Sequence, residues 1–130
     1  MDAAVHDGRL ERVHRDEAPL YTLPGRDWRL CVGPENTAAR NLTVGVATFP
    51  EGSAPTGHVH DAQEEVVYIV AGHGRLITPH ESVDLEPGVS VYIPAGLFHA
   101  TESTGPGPLE LLSVFSPSVV PGSYEARSGS

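Results

Sequence analysis

The sequence predicts an all-β domain, a sandwich or barrel of eight or nine short strands. Three observations predict it. Gly and Pro are abundant, 14 and 12 of 130 residues, as a chain of many tight turns requires. The apolar residues fall in runs of about four to eight, several alternating with period two, which suits strands. No segment carries the spacing of a long amphipathic helix, and none repeats at periods of about 20–50 residues. The length fits one domain, and a hydrophobic fraction of 39% with only 6% aromatics gives one modest core of Val, Leu, Ile and Ala.

The elements follow in order. Residues 1–27 are polar, with Pro19 and Pro24, and read as an N-terminal arm with a short helical turn around Arg9–Arg15. Trp28–Val32 is the first strand. Asn41–Phe49 is the second, with Leu42, Val44 and Val46 on one parity. Glu51–Gly57 is turn chemistry, and His58–His60 opens another extended piece. Glu64–Ala71 is strongly β-prone, and Gly72-His73-Gly74 after it is a hairpin signal. Arg75–Thr78, Ser82–Leu85, Val89–Ile93, His99–Ser103 and Leu109–Phe115 complete the strands of a barrel over 28–115. Residues 116–130, rich in Ser, Pro and Gly, form a short C-terminal tail expected to lie over the surface or fray.

Charge and cysteine usage narrow the function. A formal net charge of −9 at pH 7 repels phosphate backbones and anionic lipid, so nucleic-acid and membrane partners are disfavoured. The first 19 residues have no apolar signal-like core, and no later stretch approaches the roughly 20 apolar residues of a membrane span. One cysteine, Cys31, excludes an intrachain disulfide and reads as a small core residue. A cytoplasmic location is the expectation.

The chemistry gathers around a few histidines. In His58-Val59-His60 a strand would point both imidazoles to one face, as a chelate requires. With seven histidines present, such a pair arises by chance roughly a third of the time, and two surface histidines on an edge strand are the plain alternative. Glu65 opens an apolar run, Val66–Val70, where a carboxylate is costly to bury without a counter-charge; an exposed strand end is the alternative. His99 follows the Pro94-Ala95-Gly96 turn. His6 and His14 fall in the arm and His73 and His80 in turns, without partners at chelating spacing.

Together these pieces resemble a known family. Gly52, five residues, His58-x-His60, four residues, Glu65, six residues and Gly72 resemble the first conserved motif of the cupin superfamily. Gly88, five residues, Pro94-x-Gly96, two residues and His99 resemble the second, although Ser103 stands where that motif usually ends in Asn. Both patterns arise together by chance about once in 10⁵ or less. The resemblance spans about residues 42–115 and implies a small bacterial-type cupin: a double-stranded β-helix (jelly-roll) barrel holding one divalent transition metal. The implied ligands are His58, His60, Glu65 and His99.

Three imidazoles and a carboxylate suit Fe, Mn, Ni, Co or Zn, with Fe or Mn preferred. About two coordination positions stay open for a small polar substrate, and Glu65 can serve as a general base. Parity from Glu65 turns Val67 and Ile69 inward, and parity from His99 turns Thr101 and Ser103 inward. Phe98 and Phe115 are candidates to close the pocket, and Arg29, Arg40 and Arg75 are candidate carboxylate anchors. Oxalate-degrading cupins carry an Arg three residues before the first metal histidine. Pro55 stands there, which argues against oxalate chemistry.

The function so implied is a metal-dependent enzyme, an iron-type dioxygenase by preference. The alternatives are an isomerase, cyclase or lyase on the same barrel, or a non-catalytic small-molecule-binding cupin. A DNA-binding helix would be needed for a sensor joined to transcription, and no basic helical segment is present. The family resemblance further implies a homodimer formed across exposed sheet edges.

Overall fold

The computed structural model describes residues 7–53 and 55–123. His6 and the last seven residues of the tail lie outside the described residues. Among the described residues, ten strands run in chain order: β1 Leu20–Leu23, β2 Arg26–Val32, β3 Thr43–Phe49, β4 Thr56–His58, β5 Glu64–Ala71, β6 Gly74–Ile77, β7 Ser82–Leu85, β8 Ser90–Ile93, β9 His99–Ser103 and β10 Leu109–Ser116. They form a six-stranded sheet, β1-β2-β3-β10-β5-β8, and a four-stranded sheet, β4-β9-β6-β7. All pairings are antiparallel. The two sheets share one core: Trp28, Leu30, Phe49, Ile69, Leu109 and Phe115 of the larger meet Leu76 and Leu85 of the smaller. This is the jelly-roll arrangement that the sequence predicts.

Several strands alternate as a half-buried sheet must. On β5, Glu65, Val67 and Ile69 are buried, while Val66, Tyr68 and Val70 face outward, so this run is buried on one side only. On β3 the inward parity is the reverse of the apolar one: Thr43, Gly45, Ala47 and Phe49 face the core and Leu42 is exposed. Trp28 packs against this face. Its indole lies so close over Gly45 that a Cβ there would stand inside the ring, so β3 needs glycine at that inner position.

The arm and tail take more part in the fold than the sequence suggests. Residues 20–27, counted with the arm, include β1 and the start of β2; Leu20–Leu23 pairs with Arg26–Arg29 around Pro24-Gly25. The helical turn forms not at Arg9–Arg15 but as a 3-10 turn at Arg15–Glu17, with the His14 ring accepting from the Asp16 N–H. The tail does not simply lie on the surface. Val119 is buried in the core, and its N–H donates to Thr43 Oγ1 at 3.0 Å.

The Gly72-His73-Gly74 turn is not a hairpin. It carries the chain from β5 in the large sheet to β6 in the small one. Gly72 has φ 84°, and a Cβ there would collide with the Pro108 carbonyl. Glycine is what lets the chain turn this corner against a neighbouring backbone.

Candidate metal centre

Four ligand-type side chains from two sheets meet inside the barrel. The β4–β9 ladder sets His58 directly opposite His99. His60 lies just past β4, and its carbonyl accepts the Gly96 N–H at 2.9 Å. Gly96 sits at φ 83° in the Pro94-Ala95-Gly96 turn, so the second motif fixes the chain carrying the first. Glu65 comes from the opposite sheet, paired with Phe115 of β10 and Ile93 of β8.

The imidazoles of His58 and His99 lie 4.6 Å apart between ring centroids, and those of His58 and His60 lie 4.9 Å apart. Ligand nitrogens of all three histidines fall within 4.8 Å of one another, a group that can hold a metal ion. Glu65 Oε1 stands 3.4 Å from Nε2 of His60 and 3.4 Å from Nε2 of His99. All four residues are buried.

The electrostatics fit a cation at this point. His99 Nδ1 lies 3.0 Å from the Leu97 carbonyl, which can only accept, so Nδ1 carries the proton and Nε2 faces Glu65. A carboxylate oxygen and a lone-pair nitrogen at 3.4 Å repel unless a proton or a metal lies between them. The histidines divide accordingly. Burial, then the neighbouring His99, Arg26 and His60, push His58 down to about 2. Burial also works to lower His99, but the hydrogen bond and charge of Glu65 outweigh it and raise His99. In the metal-free protein His58 is held neutral while a proton is favoured beside Glu65. Three such imidazoles and a carboxylate fit a borderline divalent ion of the Fe, Mn, Ni, Co or Zn group.

The cavity beside this cluster has a free volume of about 30 Å³. Of the residues expected to line it, Val67, Thr101 and Phe115 do so, along with His58, Glu65 and His99. Ile69 and Ser103 are fully buried but are not among its lining residues. Phe98 is not in the cavity either: it is 42% exposed and its ring covers Gly57. Ser103, at the usual Asn position, uses its carbonyl to accept the Gly52 N–H at 3.0 Å, which ties the second motif to the first.

The arginines also differ from expectation. Arg75 pairs with Glu102 at the surface, Arg29 donates to the Ala18 carbonyl, and Arg40 is exposed. The arginine that lines the cavity is Arg26, with Trp28, Ala47, Phe49, Leu111 and Ser113. Extending the Trp28/Leu30 parity back by two residues would have found it. Cys31 is half-buried and outside the cavity, and burial raises its thiol.

Comparison with known proteins agrees with this architecture. The cupin-domain family profile matches residues 45–115. MJ1618, an uncharacterised protein of Methanocaldococcus jannaschii, is 30% identical over 94 residues, covering 72% of this chain and 75% of its own length. Two solved structures share the fold at low identity. KdgF from Halomonas sp. has 22% identity and a TM-score of 0.70, over 82% of this chain and 94% of its own. The polyketide cyclase RemF from Streptomyces resistomycificus has 18% identity and a TM-score of 0.71, over 90% of each chain. With both motifs gathered at one buried centre of a jelly-roll barrel, the chain belongs to the cupin superfamily.

Proposed function

We propose that the chain is a metal-dependent enzyme acting on a small polar organic molecule, with His58, His60, Glu65 and His99 holding one divalent ion, Fe or Mn by preference. The observation that supports this most is the convergence of these four side chains, from two sheets, at one buried point. An ion there would polarise a carbonyl or enol oxygen of the substrate and, as Fe or Mn, make O₂ chemistry available. The chain's own residues supply the setting. Trp28, Phe49, Val67, Leu111 and Phe115 exclude water, which strengthens every charge interaction inside. The hydroxyls of Thr101 and Ser113 can orient substrate oxygens, and Glu65 can accept a proton.

A dioxygenase of an enol, diketone or thiol compound is the reading we prefer. Among the described residues lining the cavity, the carboxylate and imidazoles all belong to the cluster itself. Chemistry that shuttles protons between two substrate positions asks for a further acid–base group, whereas oxygenation does not. The second reading is cyclase, isomerase or lyase chemistry with Glu65 as the base, favoured by the fold shared with the polyketide cyclase RemF. We place the protein in the cytoplasm, since its lone cysteine suits a reducing compartment and, among the described residues, no helix is long and apolar enough to cross a membrane.

The test is direct. Untagged protein is assayed for bound metal, then for O₂ uptake with diketones, enols and thiols. A redox metal with substrate-dependent uptake is the expected result. Bound metal without uptake would sink the oxygenase reading and leave the cyclase or lyase. The His60→Ala variant should lose the metal and keep its β circular-dichroism spectrum. Full occupancy in that variant would refute the ligand set.

A further inference from the structure

The cavity beside the metal centre is too small for a whole organic molecule. Its free volume is about 30 Å³, and one water needs about 10–15 Å³ of such space. It has room for about two or three atoms, enough for the polar end of a substrate. The rest of the molecule must lie elsewhere, and Ile93 shows where. This side chain is 3% exposed, lines the metal cavity and stands across the β5–β8 ladder from Glu65. It also lines a second chamber, of about 60 Å³, together with Leu76, Val83, Val91 and Leu97. This chamber lies at the seam between the sheets, where β8 ends the large sheet and β7 ends the small one. Among the described residues no ladder joins these two strands, so side chains alone close the seam.

The chemistry of the seam is apolar. The Thr78 hydroxyl that borders it already donates to the Glu81 carbonyl at 3.1 Å. Glu81 is its one charged lining residue, is exposed to solvent, and repels anionic groups. Val83, Val91 and Leu97 are only partly buried, so they leave apolar surface for a ligand to cover.

We propose that the seam chamber binds a short, uncharged aliphatic or aromatic group of the substrate, whose polar end lies at the metal. Ile93 is the partition between the two spaces and sets the length and width of molecule accepted. This rests on the metal-centre reading and names its substrate class. Arg26 also borders an outer depression, but its Nη1 donates to the Pro24 carbonyl at 3.0 Å, and moving it aside breaks that bond. Ile93 opens a passage by rotating about a side-chain bond alone.

The experiment titrates the Co(II)-loaded chain with aceto-, butyro- and hexanohydroxamate and reads the visible spectrum of Co(II). The three share one metal-binding head and differ in apolar length. Affinity should rise at least tenfold from the first to the last, since each buried methylene contributes about fourfold. Val83→Phe, which fills the chamber, should cut that rise to under about threefold. Ile93→Ala, which joins the two spaces, should raise the affinity for benzohydroxamate at least tenfold. A rise that survives Val83→Phe would put the chain in another place, such as the depression beside Arg26, and overturn the chamber. A flat series in the parent chain, or unchanged benzohydroxamate affinity in Ile93→Ala, would overturn it too, and Co(II) binding would still leave the metal centre standing. Should Val83→Phe fail to fold, the parent series and Ile93→Ala decide. A parent chain that does not bind Co(II) at all would overturn the metal centre, and the chamber's role with it.

Discussion

The metal-free protein should lose stability in mild acid through His58. Burial and its neighbours push this imidazole down to about 2, against 6.5 for an ordinary histidine. Its folded form therefore refuses a proton that the unfolded chain accepts. For a depressed group the stabilisation is present above the unfolded value and is lost as pH falls toward the folded one. Between pH 7 and pH 5 the loss from His58 alone is about 2 kcal/mol, at 1.36 kcal/mol per unit below the unfolded value. His99 acts in the opposite sense: its raised value gives stabilisation that is full below about 6.5 and fades as pH rises through the folded value. The assay is urea unfolding of chelator-treated protein at pH 7 and pH 5, in the parent chain and in His58→Gln. The variant should lose about 2 kcal/mol less over that interval than the parent. Equal losses in the two proteins would refute the claim that His58 is held neutral by its surroundings.

Three further outcomes follow from the same geometry. Metal binding should displace the proton favoured between His99 and Glu65, so metal content should be full at pH 8 and fall by pH 5; unchanged content by elemental analysis would count against the cluster. Gly45→Ala should cost about 1–3 kcal/mol in chemical denaturation, because its Cβ would overlap the Trp28 indole and neither strand can retreat without breaking its ladder. Pairing of two copies, which we also propose, has a suitable surface in the outer face of β5 and β8, where Tyr68 is 45% and Tyr92 58% exposed beside Val66 and Val70. Tyr68→Glu should then shift the chain from dimer to monomer in sedimentation velocity, and a parent chain that sediments as a monomer would exclude the dimer.

Strand positions were legible wherever turn residues flank an apolar run, and Glu64–Ala71, Ser82–Leu85 and His99–Ser103 form with those very bounds. The meeting of His58, His60, Glu65 and His99 was legible through fixed motif spacing, although the residues lie on different sheets. What escaped was non-local. Period two in Leu42, Val44 and Val46 reveals a strand but not which face is inward; the inward face is the one that packs against Trp28, from a neighbouring strand. Parity placed Ile69 and Ser103 on the inner face correctly but says nothing about depth, and both lie away from the cavity. Pro24-Gly25 looked like the end of an arm and is a hairpin turn, which concealed Arg26.

The balance of charge gives these residues a common logic. One proton beside Glu65 can offset the carboxylate in the metal-free barrel, and a divalent ion can do so while also engaging the imidazoles, of which burial keeps His58 neutral. Arg26 is turned into the same cavity, where its charge works against protonation of both His58 and His99. At His58 it adds to burial, and at His99 the hydrogen bond and charge of Glu65 outweigh it, so the two facing imidazoles of the β4–β9 ladder are set in opposite protonation states until an ion takes the place of the proton.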